Sequence, residues 1–238
     1  MKSMSRLIFC LVFFAGTAFA QDRFSVNIAA GKSISLRELA VRVTGRNSLT
    51  AQMAGDGLAF QVGTDFQFSR HLGFTARLNY NQNETREEGV KNYAAVIYSI
   101  NDLTASNIQD WRALSLMVGP TLKVFVGKLS LQGRLLGGYT TITGPAFSAK
   151  GSFSNRDISV ETKTGTAQNW AFGLGSTVAF ALTSHLSLAI NADYAQTKAE
   201  FGNIENVVTA AGTTLTPTTT IVQDLGVLNV TGGLVFSF

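Results

Sequence analysis

The last eleven residues of the chain, 228–238, alternate between large apolar side chains and small or polar ones. One parity contains Leu228, Val230, Leu234, Phe236 and Phe238, whereas the other contains Asn229, Thr231, Gly233 and Ser237. A period of two predicts a β-strand with one apolar face and one polar face. Chain ends usually fray into water, so an aromatic final residue favours a strand that closes a barrel within a lipid bilayer.

Seven earlier segments show the same alternation. Their apolar rows begin at Phe24, Leu58, Leu72, Leu114, Leu129, Trp170 and Leu186. Each segment spans about ten residues or more, which is enough for a tilted strand to cross a bilayer. The sequence therefore predicts an all-β fold, an eight-stranded antiparallel up-and-down transmembrane barrel. The closing strand is expected to pair with the strand that begins at Phe24.

The connections between these segments alternate in length. Three are short, at 69–71, 127–128 and 183–185, and four are long, near 32–56, 84–109, 144–168 and 199–224. In such barrels the short turns face the periplasm and the long loops face outward, and an even strand count places both chain ends in the periplasm. The Thr-rich run at 213–220 is predicted to be an exposed loop, with a strand extension or an adhesive tip as alternatives.

The N-terminal region predicts export. Lys2 and Arg6 precede an apolar run at 7–14, and Ala18-Phe19-Ala20 fits a small-x-small cleavage site. This pattern is typical of a secretory signal peptide at 1–20, with a buried first strand or helix as the alternative. The barrel domain then occupies 21–238.

The composition of the mature chain excludes some classes of protein. The only cysteine, Cys10, lies within the predicted signal peptide, so disulfides cannot stabilise the mature domain. Removing Lys2 and Arg6 lowers the formal net charge from +4 to +2, which gives no indication of a nucleic-acid partner.

Alternation alone does not decide which face points outward, because a soluble ligand-binding barrel also alternates. Small and polar residues share one face here, which suits the narrow interior of eight strands. Charges within the strands all fall on that polar face, at Asp65, Arg77, Lys123, Arg134 and Asp193. A Lys or Arg facing mid-bilayer lipid costs ~2–4 kcal/mol, so these residues are expected in the lumen. Asp65 and Arg77 lie six residues either side of 71 and are expected to pair. Lys123 and Arg134 are like charges that require Asp193, Asp65 or water.

Aromatic residues mark both ends of the predicted strands. Those near the loop ends are Tyr80, Tyr139, Trp170 and Tyr194, and those near the turn ends include Phe66 and Phe180. Two such belts are typical of the two interfaces of a bilayer. Trp111 and Phe125 break the parity of their strand. Pro120 lies on the outward parity and lacks an N–H, so a bulge or widened register is predicted at Gly119-Pro120, with a bend as the alternative.

The chain also contains an internal repeat. Residues 63–82 align with residues 177–196, which places His71 with His185 and Tyr80 with Tyr194. Duplication of a hairpin and equal constraints on two hairpins remain alternative explanations.

Together, the signal peptide, the eight segments, the short turns and the aromatic terminal strand resemble the small outer-membrane β-barrels of Gram-negative bacteria. The resemblance is to the OmpA-like transmembrane barrels and the outer membrane protein β-barrel family, and it spans the mature chain. It implies a location in the outer membrane, contact with lipid and lipopolysaccharide, and insertion by the barrel-assembly machinery. The family's assembly signal maps onto Leu228, Val230, Leu234, Phe236 and Phe238.

Few residues suggest chemistry. The sequence contains no P-loop, dinucleotide fingerprint or Cys/His cluster, so no cofactor, metal or catalytic residue is predicted. His71 and His185 are expected at the periplasmic rim, away from the outer leaflet where a lipid-modifying enzyme works. The predicted role is a monomeric, non-enzymatic barrel that is structural or contacts an unidentified ligand through its external loops. A narrow, porin-like pore for ions or small solutes is the alternative, and an outer-membrane lipid-modifying enzyme is a less favoured one.

Overall fold

A computed structural model describes residues 23–36, 53–98, 101–153 and 156–238. Its strands are β1 (Phe24–Ser35), β2 (Ala54–Gln67), β3 (Leu72–Thr85), β4 (Asn101–Ser106), β5 (Trp111–Val126), β6 (Leu129–Thr143), β7 (Phe147–Phe153), β8 (Arg156–Thr162), β9 (Thr166–Ala181), β10 (Leu186–Ala210), β11 (Thr213–Leu215) and β12 (Thr218–Ser237). One helix, α1, spans Glu87–Tyr98 between β3 and β4. The predicted signal peptide lies outside the described residues.

Eight of these strands close into an antiparallel ring. The order is β1-β2-β3-β5-β6-β9-β10-β12, and β12 returns to pair with β1. The closing pair runs from Ser25 opposite Ser237 to Ser35 opposite Val227 without a shift in register. The predicted barrel and its predicted closing strand are therefore confirmed.

The apolar faces of the strands point outward. Leu58 and Leu135 are each 59% exposed, whereas Arg77 and Asn191 in the interior are each 0% exposed. A soluble barrel would place its apolar face inside, so this distribution contradicts the soluble alternative. Within the described ranges, no helix combines the length and apolar character needed to cross a membrane.

Three tight turns and both described chain ends lie at one end of the ring, here called the turn end. In the β2–β3 turn, the Ser69 hydroxyl accepts hydrogen bonds from the backbone N–H groups of His71 and Leu72. Thr183 does the same for His185 and Leu186 in the β9–β10 turn. The remaining turn, between β5 and β6, contains Gly127 at φ +61°, a left-handed conformation that favours glycine.

The repeated segments lie opposite one another in the barrel. The β2–β3 hairpin carries the first copy and the β9–β10 hairpin carries the second. Four steps around a ring of eight strands separate the two hairpins, which is half of the ring.

The long connections are folded at the opposite end, here called the loop end. The tip of β10 continues beyond the ring and forms a second sheet in the order β11-β10-β8-β7-β4. The connection predicted near 199–224 is mostly a hairpin, because β10 runs to Ala210 and β12 begins at Thr218. In the Thr-rich run, the strand extension is therefore the alternative that the structure adopts.

The predicted bulge at Gly119-Pro120 is wrong. Pro120 pairs with Phe74 of β3 in regular register. On the other side, the ladder to β6 skips Gly119 and Pro120 and then resumes in the same register at Thr121. Proline removes one ladder donor, and the intact pairs on either side hold the strands in place. Gly119 allows the close approach, since a Cβ there would collide with the carbonyl oxygen of Leu135.

Candidate functional site: a filled lumen beneath a folded cap

A first ion pair crosses from β2 to β3 inside the barrel. Nη2 of Arg77 donates to both carboxylate oxygens of Asp65, each at 2.9 Å. Gln132 of β6 donates to the same carboxylate at 2.9 Å. The pair expected from the spacing about the short turn is present, with Asp65 only 5% exposed.

A second ion pair joins β6 to β10 across the intervening strand β9. Nε and Nη2 of Arg134 donate to Oδ1 and Oδ2 of Asp193 at 2.8 and 2.6 Å. Nη1 of Arg134 donates to the hydroxyl of Thr177 at 2.6 Å, and Gln61 of β2 donates to Asp193 at 2.7 Å. The forked geometry of a guanidinium suits this arrangement, because each carboxylate oxygen receives its own donor.

Two glycines make room for the arginines. Gly63 lies opposite Arg77 on β2, and a Cβ there would collide with Nη1 of that arginine. Gly175 lies on β9 between Arg134 and Asp193, and a Cβ there would collide with both side chains. The two ion pairs therefore occupy space that a larger residue on the neighbouring strand would fill.

A chain of neutral side chains continues around the lumen beside these pairs. Asn191 accepts hydrogen bonds from Asn27 at 3.1 Å and from Thr177 at 2.7 Å, and donates to Thr231 at 3.2 Å. The inward parity of these residues is visible in the sequence. Their partners are not, because they depend on which strands meet when the ring closes.

Lys123 does not join either ion pair. No carboxylate among the described residues lies within ion-pairing distance of it, and its Nζ lies 5.2 Å from the ring centroid of Phe125. A cation above an aromatic face gains a modest electrostatic attraction. Phe125, which breaks the parity of its strand, thereby contacts a lumen charge near the turn end.

The buried charges are balanced, with two arginines against two aspartates. Removing one partner of a buried pair leaves an uncompensated charge and costs about 3–5 kcal/mol. Below the pairs, toward the turn end, Ala179, Ala189 and Val235 pack together as an apolar layer. The lumen is therefore filled by side chains at these levels.

Above the ion pairs, toward the loop end, a cavity of about 80 Å³ remains. Its walls include Asn81, Asn83, Ser115, Thr140 and Trp111. Space of this size admits a few water molecules. The upper lumen is thus a closed chamber between the ion pairs and the loop end.

An apolar cluster covers this chamber, and we call it the cap. Its core includes Met53, Val90, Tyr93, Trp111, Phe147, Phe201 and Ile204. The rings of Trp111 and Phe201 meet edge to face at 5.9 Å, as do those of Tyr93 and Phe147 at 6.0 Å. Burial raises the pKa of Tyr93, and burial beside Tyr93 raises the pKa of Tyr98 to about 12. Trp111 breaks the strand parity because it faces this cap rather than the outer surface.

The predicted aromatic belts occupy the outer surface. Tyr139 and Trp170 are 45% and 66% exposed, and their rings meet at 5.9 Å. Tyr80 and Tyr194 are half-exposed on the same side of the barrel, and Phe66 and Phe180 are exposed near the turn end. In the predicted assembly signal, Val230, Leu234, Phe236 and Phe238 point outward and Leu228 is half-exposed. Their role in assembly stays a prediction.

Comparisons with known proteins agree with this architecture. The barrel of a major outer membrane protein from Thermus thermophilus is 12% identical, with a TM-score of 0.51 over 90% of this chain and 99% of that chain. Neisserial surface protein A is 12% identical over 90% of this chain and 97% of that chain, with a TM-score of 0.45. The attachment invasion locus protein Ail of Yersinia pestis is 14% identical over the same shares, with a TM-score of 0.41.

No curated protein sequence matches the chain. The family profile described as "Outer membrane protein beta-barrel domain" matches residues 7–216, which is most of the chain. The chain therefore belongs to the outer membrane protein beta-barrel domain family and resides in the outer membrane.

Proposed function

We propose that this protein is a non-enzymatic barrel, closed to solute flow, whose loop end contacts other molecules outside the cell. It acts as a monomer surrounded by lipid and lipopolysaccharide, after insertion by the barrel-assembly machinery. The observation that carries the proposal is the filled cross-section of the lumen. Arg77, Asp65, Arg134 and Asp193 are all at most 5% exposed there.

The ion pairs block the lumen from several sides. Gln132 reaches from β6 to the Asp65 pair, and Gln61 reaches from β2 to the Asp193 pair. These two amides link opposite walls of the barrel. Eight strands enclose an interior that side chains fill, so a wide aqueous channel is not expected.

The loop end supplies the surface for contacts. In this family of folds, short turns face the periplasm and long connections face outward. The second sheet carries exposed charges of both signs, among them Lys150, Arg156, Asp157 and Glu161. A sheet held by β10 positions such side chains more rigidly than a mobile loop would.

The histidines support the absence of catalysis. Nδ1 of His71 lies 3.0 Å from the carbonyl oxygen of Lys123, and Nδ1 of His185 lies 2.8 Å from the hydroxyl of Ser184. Both rings lie at the turn end, opposite the cap. If the protein modifies lipid A, overexpression will change the mass spectrum of lipid A, and we expect no change.

Conductance across a planar bilayer tests the closed lumen. We expect the purified protein, inserted in heat-modifiable folded form, to show no steady single-channel openings. Steady openings of the unmodified protein would overturn the proposal and favour the pore. Bulky substitutions at Gly63 or Gly175 are unsuitable as blocking variants, because the arginines already occupy that space.

A variant with an emptied lumen provides the positive arm. Replacing Arg77, Asp65, Arg134 and Asp193 together by alanine removes both pairs without leaving an unpaired charge. If the variant still migrates as a folded barrel, we expect openings that the wild type lacks. A matched control replaces the exposed pair Lys163 and Glu205 by alanine, and it should stay silent.

A further inference from the structure

A narrow crevice enters the cap from the loop end and contains polar atoms without partners. It has a volume of about 30 Å³, and Trp111, Gln223, Phe201 and Lys163 are among its walls. Lys163 is exposed at the rim, where its Nζ is 2.9 Å from Glu205. The crevice therefore runs from the surface into the buried part of the cap.

Gln223 is the unexplained residue in this crevice. It is 1% exposed, and neither its amide oxygen nor its amide nitrogen has a hydrogen-bond partner among the described residues. The indole N–H of Trp111, a residue that is 7% exposed, also lacks an acceptor there. Burying an unpaired polar group destabilises a protein by about 1–3 kcal/mol, so such groups normally mark a bound water or ligand.

The arrangement presents two donors and one acceptor within aromatic walls. The donors are the Trp111 N–H and the Gln223 Nε2, and the acceptor is the Gln223 Oε1. The walls are the rings of Phe201, Phe147 and Tyr93. A space of this volume admits roughly two or three water-sized groups, so it fits the end of a molecule rather than the whole.

We infer that the crevice binds the acetamido group of an external molecule. The carbonyl oxygen of an acetamido group accepts from Trp111 or Gln223, its N–H donates to Gln223, and its methyl group contacts the aromatic rings. The rest of the ligand remains outside, beside Lys163. This inference rests on the proposed surface role of the loop end and gives that role a ligand class.

Fluorescence of Trp111 tests the inference. The chain has two tryptophans, and Trp170→Phe leaves Trp111 as the single reporter. We expect saturable changes on titrating folded protein with N-acetylglucosamine, and none with glucose, which lacks the acetamido group. N-acetylglycinamide distinguishes the source of the group. A response to it alone indicates an acylated peptide, and a response to the sugar alone indicates an amino sugar.

Gln223→Leu is the decisive variant. Leucine fills a similar volume without unpaired polar atoms, so we expect a higher unfolding temperature together with a roughly tenfold or greater loss of acetamido affinity. Gly144→Val supplies an independent block, because a Cβ at Gly144 would lie 3.5 and 3.6 Å from the rings of Phe201 and Trp111. It should weaken binding while Gln223 remains intact.

Three results would overturn the inference. The first is the absence of any acetamido-dependent change in Trp111 fluorescence, which would leave only water in the crevice. The second is equal responses to N-acetylglucosamine and glucose. The third is unchanged affinity in Gln223→Leu. Each leaves the conductance test unaffected, so failure of the crevice site and failure of the closed lumen are distinguishable.

Discussion

At the scale of single residues, the lumen shows how an absent side chain positions a present one. Gly63 and Gly175 are unremarkable in the sequence, where they share the polar parity with many small residues. In the structure each marks the place where an arginine crosses a neighbouring strand. The size of these two residues is therefore as important to the ion pairs as the charges themselves.

Gly63→Ala tests this point. The new Cβ would overlap the Arg77 guanidinium, so we expect a loss of about 1–3 kcal/mol in the free energy of unfolding. Urea unfolding of the protein in lipid vesicles measures the change. Gly133→Ala is the matched control, because a Cβ there meets nothing within 4 Å. Equal stability of the two variants would contradict the packing role of Gly63.

At the scale of secondary-structure elements, the cap depends on α1 and the strands around it. Tyr98 contacts Tyr93 at a centroid distance of 6.5 Å, and burial holds its hydroxyl in the neutral form. In the unfolded chain the pKa of tyrosine is near 10, whereas the pKa of Tyr98 in the cap is about 12. The neutral phenol therefore stabilises the cap fully below pH 10, and this contribution is lost as the pH rises toward 12.

We accordingly expect α1 to loosen between pH 10 and 12 while the barrel remains folded. Tyrosinate absorbance should show a late phase near pH 12, and this phase should vanish in Tyr98→Phe. Limited proteolysis across the same pH range should cut 87–98 before any barrel strand. A titration of the wild type that matches Tyr98→Phe would show that Tyr98 is not held in the cap.

The elements also show what a sequence of this kind reveals. Strand alternation and short turns predicted the ring and the Asp65–Arg77 pair, since a tight turn sets the register of its two strands locally. Arg134 and Asp193 lie on strands separated by β9, so their pairing needed the order of the whole ring.

The loop end was harder to predict. Helix α1 and strands β4, β7 and β8 lie in stretches that the sequence analysis treated as loops. Their pairing joins residues far apart in the chain, such as Ala105 with Ala149. Gln223 lies above the segment recognised as the closing strand, and Trp111 was noted only for its broken parity. The crevice they share depends on packing that no local pattern records.

At the scale of the whole molecule, closure depends on where the two ends of the barrel meet. The backbone N–H of Phe238 donates to the carbonyl oxygen of Phe24 at 2.9 Å, and the two rings lie 6.4 Å apart. The terminal residue thus extends the last rung of the closing pair. This placement is compatible with its predicted role in assembly and gives that role a physical contact.

Deleting Phe238 should lower the amount of folded barrel in the outer membrane, because both the terminal aromatic and the last hydrogen bond are lost. Heat-modifiable migration on gels measures the folded fraction. Phe68→Ala is the matched control, since Phe68 is also an exposed aromatic at the turn end, 56% against 62% exposed. Assembly of the deletion variant at the level of Phe68→Ala would contradict a special role for Phe238.

The position of the repeated hairpins has a consequence for electroneutrality during insertion. A line between β5 and β6 divides the ring into two sets of four consecutive strands, each containing one copy of the repeat. The first set holds both Asp65 and Arg77, and the second holds both Arg134 and Asp193. Each half-barrel therefore neutralises its own arginine internally. Neither half has to wait for the other before its charges leave water.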